Sequence, residues 1–174
     1  MKIFITLFIV FMIQGGSATA KEAVILLGHF SNMKTSAGED PHLVSGYSVS
    51  LYWQEGTLFG SIAVAVGSLE AVQGRLYDIK FNPANKKFCF KAKYVRGWTY
   101  DKHSGPDGRE AREVITFAGT LTTTTLAGTI AVKDGYQAVV PAQKMWASMK
   151  KLKNDYKPVS IEAWGEMSYL DVKW

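Results

Sequence analysis

The chain predicts an all-β fold: an antiparallel meander closing into a barrel of about 8–10 strands, with one C-terminal helix. Three observations carry this. Apolar residues recur at every second position over many short runs, the pattern of strands with one buried face. Turn formers separate the runs, at Glu55-Gly56, Gly67-Ser68, Asn82-Pro83-Ala84-Asn85 and Asp134-Gly135. The separations are too short for parallel crossovers, so neighbouring strands should pair as hairpins.

The elements follow in order. Residues 1–20 read as a cleaved export leader: Lys2 opens it, an apolar run extends from Ile3 to Ile13, and Ala18-Thr19-Ala20 supplies the small residues of a cut after Ala20. The run is shorter than the roughly 20 residues that span a bilayer. No cysteine follows it, so a lipid-modified N-terminus is not expected. Residues 21–174 then make one domain. His29 lies in the apolar stretch from Val24 to Phe30 and is expected in a strand with a satisfied ring. Tyr47, Val49, Leu51 and Trp53 share one face, as do Leu58, Ile62, Val64 and Val66. Tyr77, Ile79 and Phe81 follow, then Phe88, Phe90, Ala92 and Tyr94. Ile115, Phe117 and Leu121 lead to Leu126, Ile130 and Val132. Pro141 and the spacing of Met145, Met149 and Leu152 predict an amphipathic helix over residues 142–153. Val159, Ile161 and Ala163 resume the alternation, and Leu170, Val172 and Trp174 close it.

One internal echo stands out. The eleven residues from Thr57 to Gly67 match those from Thr125 to Gly135 at seven positions. Gly60 and Gly128 are equivalent in it. A glycine inside a strand marks a bend, a bulge or a close backbone approach, so each is expected where a strand curls.

The chemistry-bearing residues are dispersed. The chain has a formal net charge of +5 and one cysteine, Cys89, so no disulfide can form within it. Cys89 is expected on the face that carries Lys91 and Lys93, where neighbouring ammonium groups would favour a thiolate; an inert strand residue is the plainer reading. Asp101, His103, Asp107 and Glu110 crowd one segment, but their spacing matches no metal signature, and Gly105-Pro106 and Asp107-Gly108 read as a hairpin loop. His42 follows Pro41 in a loop. No Gly-x-Ser-x-Gly elbow, phosphate-cradling loop or dinucleotide fingerprint is present. No catalytic residue, metal ligand or cofactor is therefore assigned, and enzyme activity is not the expectation.

Two surfaces remain. Trp53, Tyr77, Phe90 and Tyr94 fall on the predicted apolar face, where aromatics fill a core or line a ligand-binding mouth. Lys91, Lys93 and Arg96 belong to a basic hairpin that could meet an anionic glycan, a lipid head group or an acidic protein. Lysines that shield a sheet edge are the alternative. Nucleic acid is not expected as a partner of an exported chain.

In overall plan the chain resembles the lipocalin-like, or calycin, superfamily: an export signal, a meander of short strands, a late helix and a final strand. The Gly-x-Trp motif of that superfamily is absent. Its nearest counterpart, Leu51-Tyr52-Trp53, lacks the glycine, and no binding residue can be transferred. The resemblance implies small-ligand binding. The functional expectation is thus an exported barrel, periplasmic or secreted, that binds a small apolar, amphiphilic or glycan ligand without catalysis. An inhibitor- or immunity-type protein working through the basic hairpin is a second reading. A small outer-membrane barrel is a third, because the same alternation can be turned to face lipid and the chain ends on alternating Leu170, Val172 and Trp174.

Overall fold

The computed structural model describes residues 23–35, 42–100, 105–136, 142–153, 158–172 and 174. The expected leader, Asp101, His103 and Pro141 lie outside the described residues. Among the described residues nine strands are formed: β1 (Ile25–Ser31), β2 (Lys34–Thr35), β3 (Val44–Gln54), β4 (Thr57–Ser68), β5 (Val72–Asn82), β6 (Lys87–Thr99), β7 (Arg109–Leu121), β8 (Thr125–Asp134) and β9 (Gln143–Lys151). A short helix, α1 (Ile161–Gly165), and a 3-10 turn (Ser168–Leu170) follow.

Every described strand pair is antiparallel, and from β3 to β9 each strand pairs with the next. β1 pairs with both β3 and β9 and so closes an eight-stranded barrel. β2 extends the line of β1 along β3. Tight turns set the register: Glu55 and Gly56 both take positive φ, 50° and 77°, as a two-residue hairpin turn requires.

The apolar alternation points inward. Phe88, Phe90, Ala92 and Tyr94 of β6 meet Ile115 and Phe117 of β7, Leu126 and Ile130 of β8 and Met149 of β9 in one core. Phe90 and Phe117 stack with ring centroids 5.2 Å apart, and each fully buried aromatic contributes roughly 1.5–3 kcal/mol of hydrophobic stabilisation. Lys87, Lys91 and the other members of the opposite register face outward.

β4 and β8, the two copies of the internal echo, stand opposite each other in the eight-membered ring. At Gly60 a Cβ would overlap the carbonyl oxygen of Ser50 on β3; at Gly128 it would overlap that of Ala118 on β7. Neither strand carries a register shift at its glycine. Both are therefore sites of close backbone approach in a curled strand, not bulges.

Three elements differ from the sequence expectation. Within residues 142–153, where a helix is expected, Gln143–Lys151 form β9. Met145, Ala147 and Met149 are spaced for a strand as well as Met145, Met149 and Leu152 are for a helix, and pairing with β8 decides between them. The helix falls later, at α1, where alternation predicts a strand. Ser160 caps it, its Oγ accepting from the Ala163 N–H at 3.1 Å. Its Trp164 lies against Phe59 on the outside of the barrel, at 5.3 Å between centroids, and donates from Nε1 to the Gly60 carbonyl at 3.1 Å. Arg75 ties the end of α1 to β5, donating to the carbonyls of Trp164, Gly165 and Met167 and pairing with Asp171 at 2.8 Å. Finally, in the closing alternation Leu170 belongs to the 3-10 turn and Val172 follows it outside any strand.

Candidate functional site at the barrel mouth

The two ends of the barrel are filled differently. At one end Phe88, Leu121 and Leu126 are buried. At the other, where β6 and β8 finish and β7 and β9 begin, lies a cavity of about 690 Å3. Tyr47 of β3, Tyr94 of β6 and Met145 of β9 form its inner boundary, with the Tyr47 hydroxyl donating to the Met145 Sδ at 3.1 Å.

Register builds the walls. Tyr94 pairs with Glu113 and Glu113 with Asp134, so one inward row crosses β6, β7 and β8. Directly opposed like charges repel, and each carboxylate here has its own cation. Arg96 lies 3.1 Å from Glu113, and Arg109 lies 2.9 Å from Asp134. Glu113 also accepts from the Tyr94 hydroxyl. On the rim, the ring of Tyr136 sits under the Arg109 guanidinium at 4.3 Å and near that of Arg112 at 5.0 Å, and its N–H donates to Asp134 at 2.7 Å.

These surroundings tune the phenols. Burial pushes the Tyr94 hydroxyl far above its ordinary range, and the hydrogen bond and negative charge of Glu113 add to the shift. Tyr47 is raised first by burial and then by Glu113, with Arg96 opposing. Both stay protonated near neutral pH and can donate hydrogen bonds. The mouth thus offers guanidinium and phenol donors beside carboxylate acceptors, and Lys34, Arg112 and Lys133 also line it. Among the described residues no group of three or more His, Cys, Asp or Glu could hold a metal ion.

The four aromatics singled out by sequence are dispersed. Tyr94 lines the cavity. Phe90 is sealed in the core beneath it. Trp53, 36% exposed, pairs with Leu58 and Ile25 at the far end. Tyr77 pairs with Lys91 and shares its outward face. A register shift between Tyr77 and Lys80, with Asp78 at φ 51°, breaks the alternation that grouped Tyr77 with Ile79. The basic trio divides too. Lys91 pairs with Asp78 at 2.7 Å on the outer wall. Lys93 donates to the Trp174 main-chain oxygen at 2.6 Å and lies 4.8 Å from the centre of its ring. Arg96 turns into the mouth. A second hollow, of about 620 Å3, separates the chain's last residues from the outer wall of β5–β7, between Val72, Val95 and Trp174.

His29 is a strand residue whose two ring nitrogens meet Ser50 Oγ at 2.7 Å and Ser48 Oγ at 2.8 Å; burial lowers its pKa. Cys89, half-buried, alternates with inward Phe88 and Phe90 on β6.

Sequence reasoning did not assemble Tyr47, Arg109, Glu113 and Asp134 into a site. The signal was present in the β7–β8 hairpin: counting outward from Leu121 and Leu126 brings Glu113 opposite Asp134.

Fold and site together define a class: a closed, eight-stranded antiparallel barrel with a polar mouth cavity, compatible with a lipocalin-like architecture. Comparison with protein-family models, curated proteins and solved structures finds no match to this chain.

Proposed function

We propose that this chain is an exported, non-catalytic barrel that binds a small ligand, apolar, amphiphilic or glycan, in its mouth cavity. The cavity itself carries the reading. Its volume of about 690 Å3 falls among those of small-molecule sites, roughly 300–1,000 Å3, and it opens where phenol, guanidinium and carboxylate groups converge. The inward apolar face and the outward Lys87 and Lys91 support a water-soluble barrel over one turned to face lipid. Lys91 and Lys93 already have partners within the chain, which gives the basic hairpin less to offer an acidic protein.

Native mass spectrometry and calorimetry against lipid and saccharide panels test the reading. Ala111 lines the cavity, so Ala111→Trp should plug it and abolish binding while the circular dichroism spectrum is retained. Binding that survives the plug moves the site elsewhere. A folded parent that binds no compound in either panel rejects the function.

A further inference from the structure

The charges that line the mouth do not cancel. Lys34, Arg96, Arg112 and Lys133 stand against Glu113 and Asp134. Both carboxylates are already neutralised, Glu113 by Arg96 and Asp134 by Arg109. Arg112 is engaged by Glu110 at 3.0 Å. Lys133 takes the outward phase of β8, between Val132 and Asp134. Lys34 forms no ion pair among the described residues. It pairs with Ser45, and opposed residues share a face of the sheet. Ser45 precedes Tyr47 by two positions on β3, so Lys34 stands on the mouth side.

The wall around Lys34 is made of donors. The Asn32 Oδ1 accepts the Tyr47 N–H at 2.8 Å, which fixes the amide and leaves its Nδ2 to donate. The Ser45 Oγ accepts the Gly67 N–H at 2.9 Å and keeps its own proton. The Tyr47 hydroxyl is spent on the Met145 Sδ, a weak acceptor that an oxygen anion would outcompete. Asn32, Lys34, Ser45 and Tyr47 all line the cavity, and β1 to β3 bring no carboxylate to it. The two acids of the mouth stand across from this wall, on β7 and β8.

One unpaired ammonium suits one negative charge. A phosphate dianion would bring a second charge toward Glu113 and Asp134, which repel it. The rest of the lining includes Val66, Ala111, Val132 and Met145, an apolar surface for the body of a ligand. That body has to be compact, because Ile62, Phe90 and Phe117 fill the barrel axis beneath.

We propose that the mouth cavity binds a compact organic acid, its carboxylate held by Lys34 and the donors of Asn32, Ser45 and Tyr47, its apolar body against Val66, Val132 and Met145. This rests on the reading of the mouth as a ligand site and selects the amphiphilic class within it.

Matched pairs of probes test it. Octanoate, phenylacetate and indole-3-acetate are titrated beside their primary amides, with phenyl phosphate, palmitate and maltotriose as further arms, by calorimetry and saturation-transfer NMR. The variants are Lys34→Gln, on an exposed side chain, and Tyr47→Phe, which keeps the buried ring; circular dichroism checks folding. At least one compact carboxylate should bind the parent, and its amide about tenfold more weakly, the effect of losing one charge-assisted hydrogen bond. Lys34→Gln should weaken the carboxylate by a similar factor and leave the amide unchanged, so that the two bind alike. Tyr47→Phe should weaken the carboxylate severalfold. An amide that binds the parent as tightly as its acid overturns the proposal, as does a carboxylate affinity that Lys34→Gln leaves unchanged. Tighter binding of phenyl phosphate than of phenylacetate overturns the single charge, and tighter binding of palmitate than of octanoate overturns the compact body. If maltotriose or an amide binds and no carboxylate does, this proposal fails while small-ligand binding stands. If nothing binds the folded parent in any arm, the broader reading fails with it. Should Lys34→Gln prove misfolded, unchanged carboxylate affinity in Tyr47→Phe is enough to overturn the proposal.

Discussion

The filled end and the mouth of this barrel are built from the same strands by the same alternation, yet one is a core and the other a site. Along β6 the inward residues run Phe88, Phe90, Ala92, Tyr94, Arg96. Along β7, read back toward the mouth, they run Phe117, Ile115, Glu113, Ala111, Arg109. Within a few inward positions the face changes from aromatic and aliphatic to charged. Alternation says which face is inside; the gradient along that face says where the interior ends and recognition begins. The most informative charged residues in such a strand are those that keep the apolar phase, because the fold has to neutralise them there.

The largest contrast should come from truncating one residue at each end. Phe117 is fully buried and stacked on Phe90, so Phe117→Ala should cost about 3–5 kcal/mol. Arg96, nearly half exposed and paired only with Glu113 among the described ion pairs, should cost less than about 1 kcal/mol when changed to Gln. Urea unfolding at neutral pH measures both. Comparable losses would mean that the mouth pairs support the fold as strongly as the core does, and the division between the two ends would collapse.

Next in size come Gly60→Val and Gly128→Val, which probe whether the two opposed strands of the internal echo are equally constrained. A side chain at either position meets the neighbouring strand's backbone carbonyl, which has no freedom to yield. Each should destabilise by about 1–3 kcal/mol. Gly60 carries a second duty, since its carbonyl accepts from Trp164 on α1, and it should be the more sensitive of the two in thermal melts. A variant as stable as the parent would show that its strand relaxes without loss.

Much of this architecture is legible in the sequence because strict alternation in β3, β4, β6 and β8 admits one inward set, and tight turns such as Glu55-Gly56 fix the pairing. Legibility fails where two periods coincide. Met145 and Met149 fit a helix face and a strand face equally, and only the hydrogen bonds offered by β8 break the tie. It fails again at Asp78, where one residue of positive φ reverses the phase and sends Tyr77 outward. The mouth was hardest to read because its members are far apart in sequence. Arg96, Arg109, Glu113 and Asp134 form no local motif and are gathered only by the registers of β6, β7 and β8.

A smaller effect than that of either glycine is expected at neutral pH for Tyr94→Phe, which removes the hydroxyl on Glu113 and keeps the buried ring. Loss of that hydrogen bond should cost about 1 kcal/mol at pH 7, because Glu113 retains Arg96. The variant becomes more informative at high pH. An unfolded phenol ionises near pH 10, whereas burial and Glu113 hold the folded Tyr94 phenol well above that value. Below about pH 10 both states are protonated and the contribution of Tyr94 is complete. As pH rises further the unfolded chain releases this proton while the native protein keeps it, so stability falls with pH. Tyr47 and Tyr77, whose phenols are also raised, add to the same slope in parent and variant alike. Urea midpoints at pH 9, 10 and 11 (chosen to bracket the unfolded value of about 10) should therefore drop more steeply for the parent than for Tyr94→Phe. Two parallel curves would mean that Tyr94 ionises at the same pH folded as unfolded, and that the mouth is far wetter than its geometry indicates.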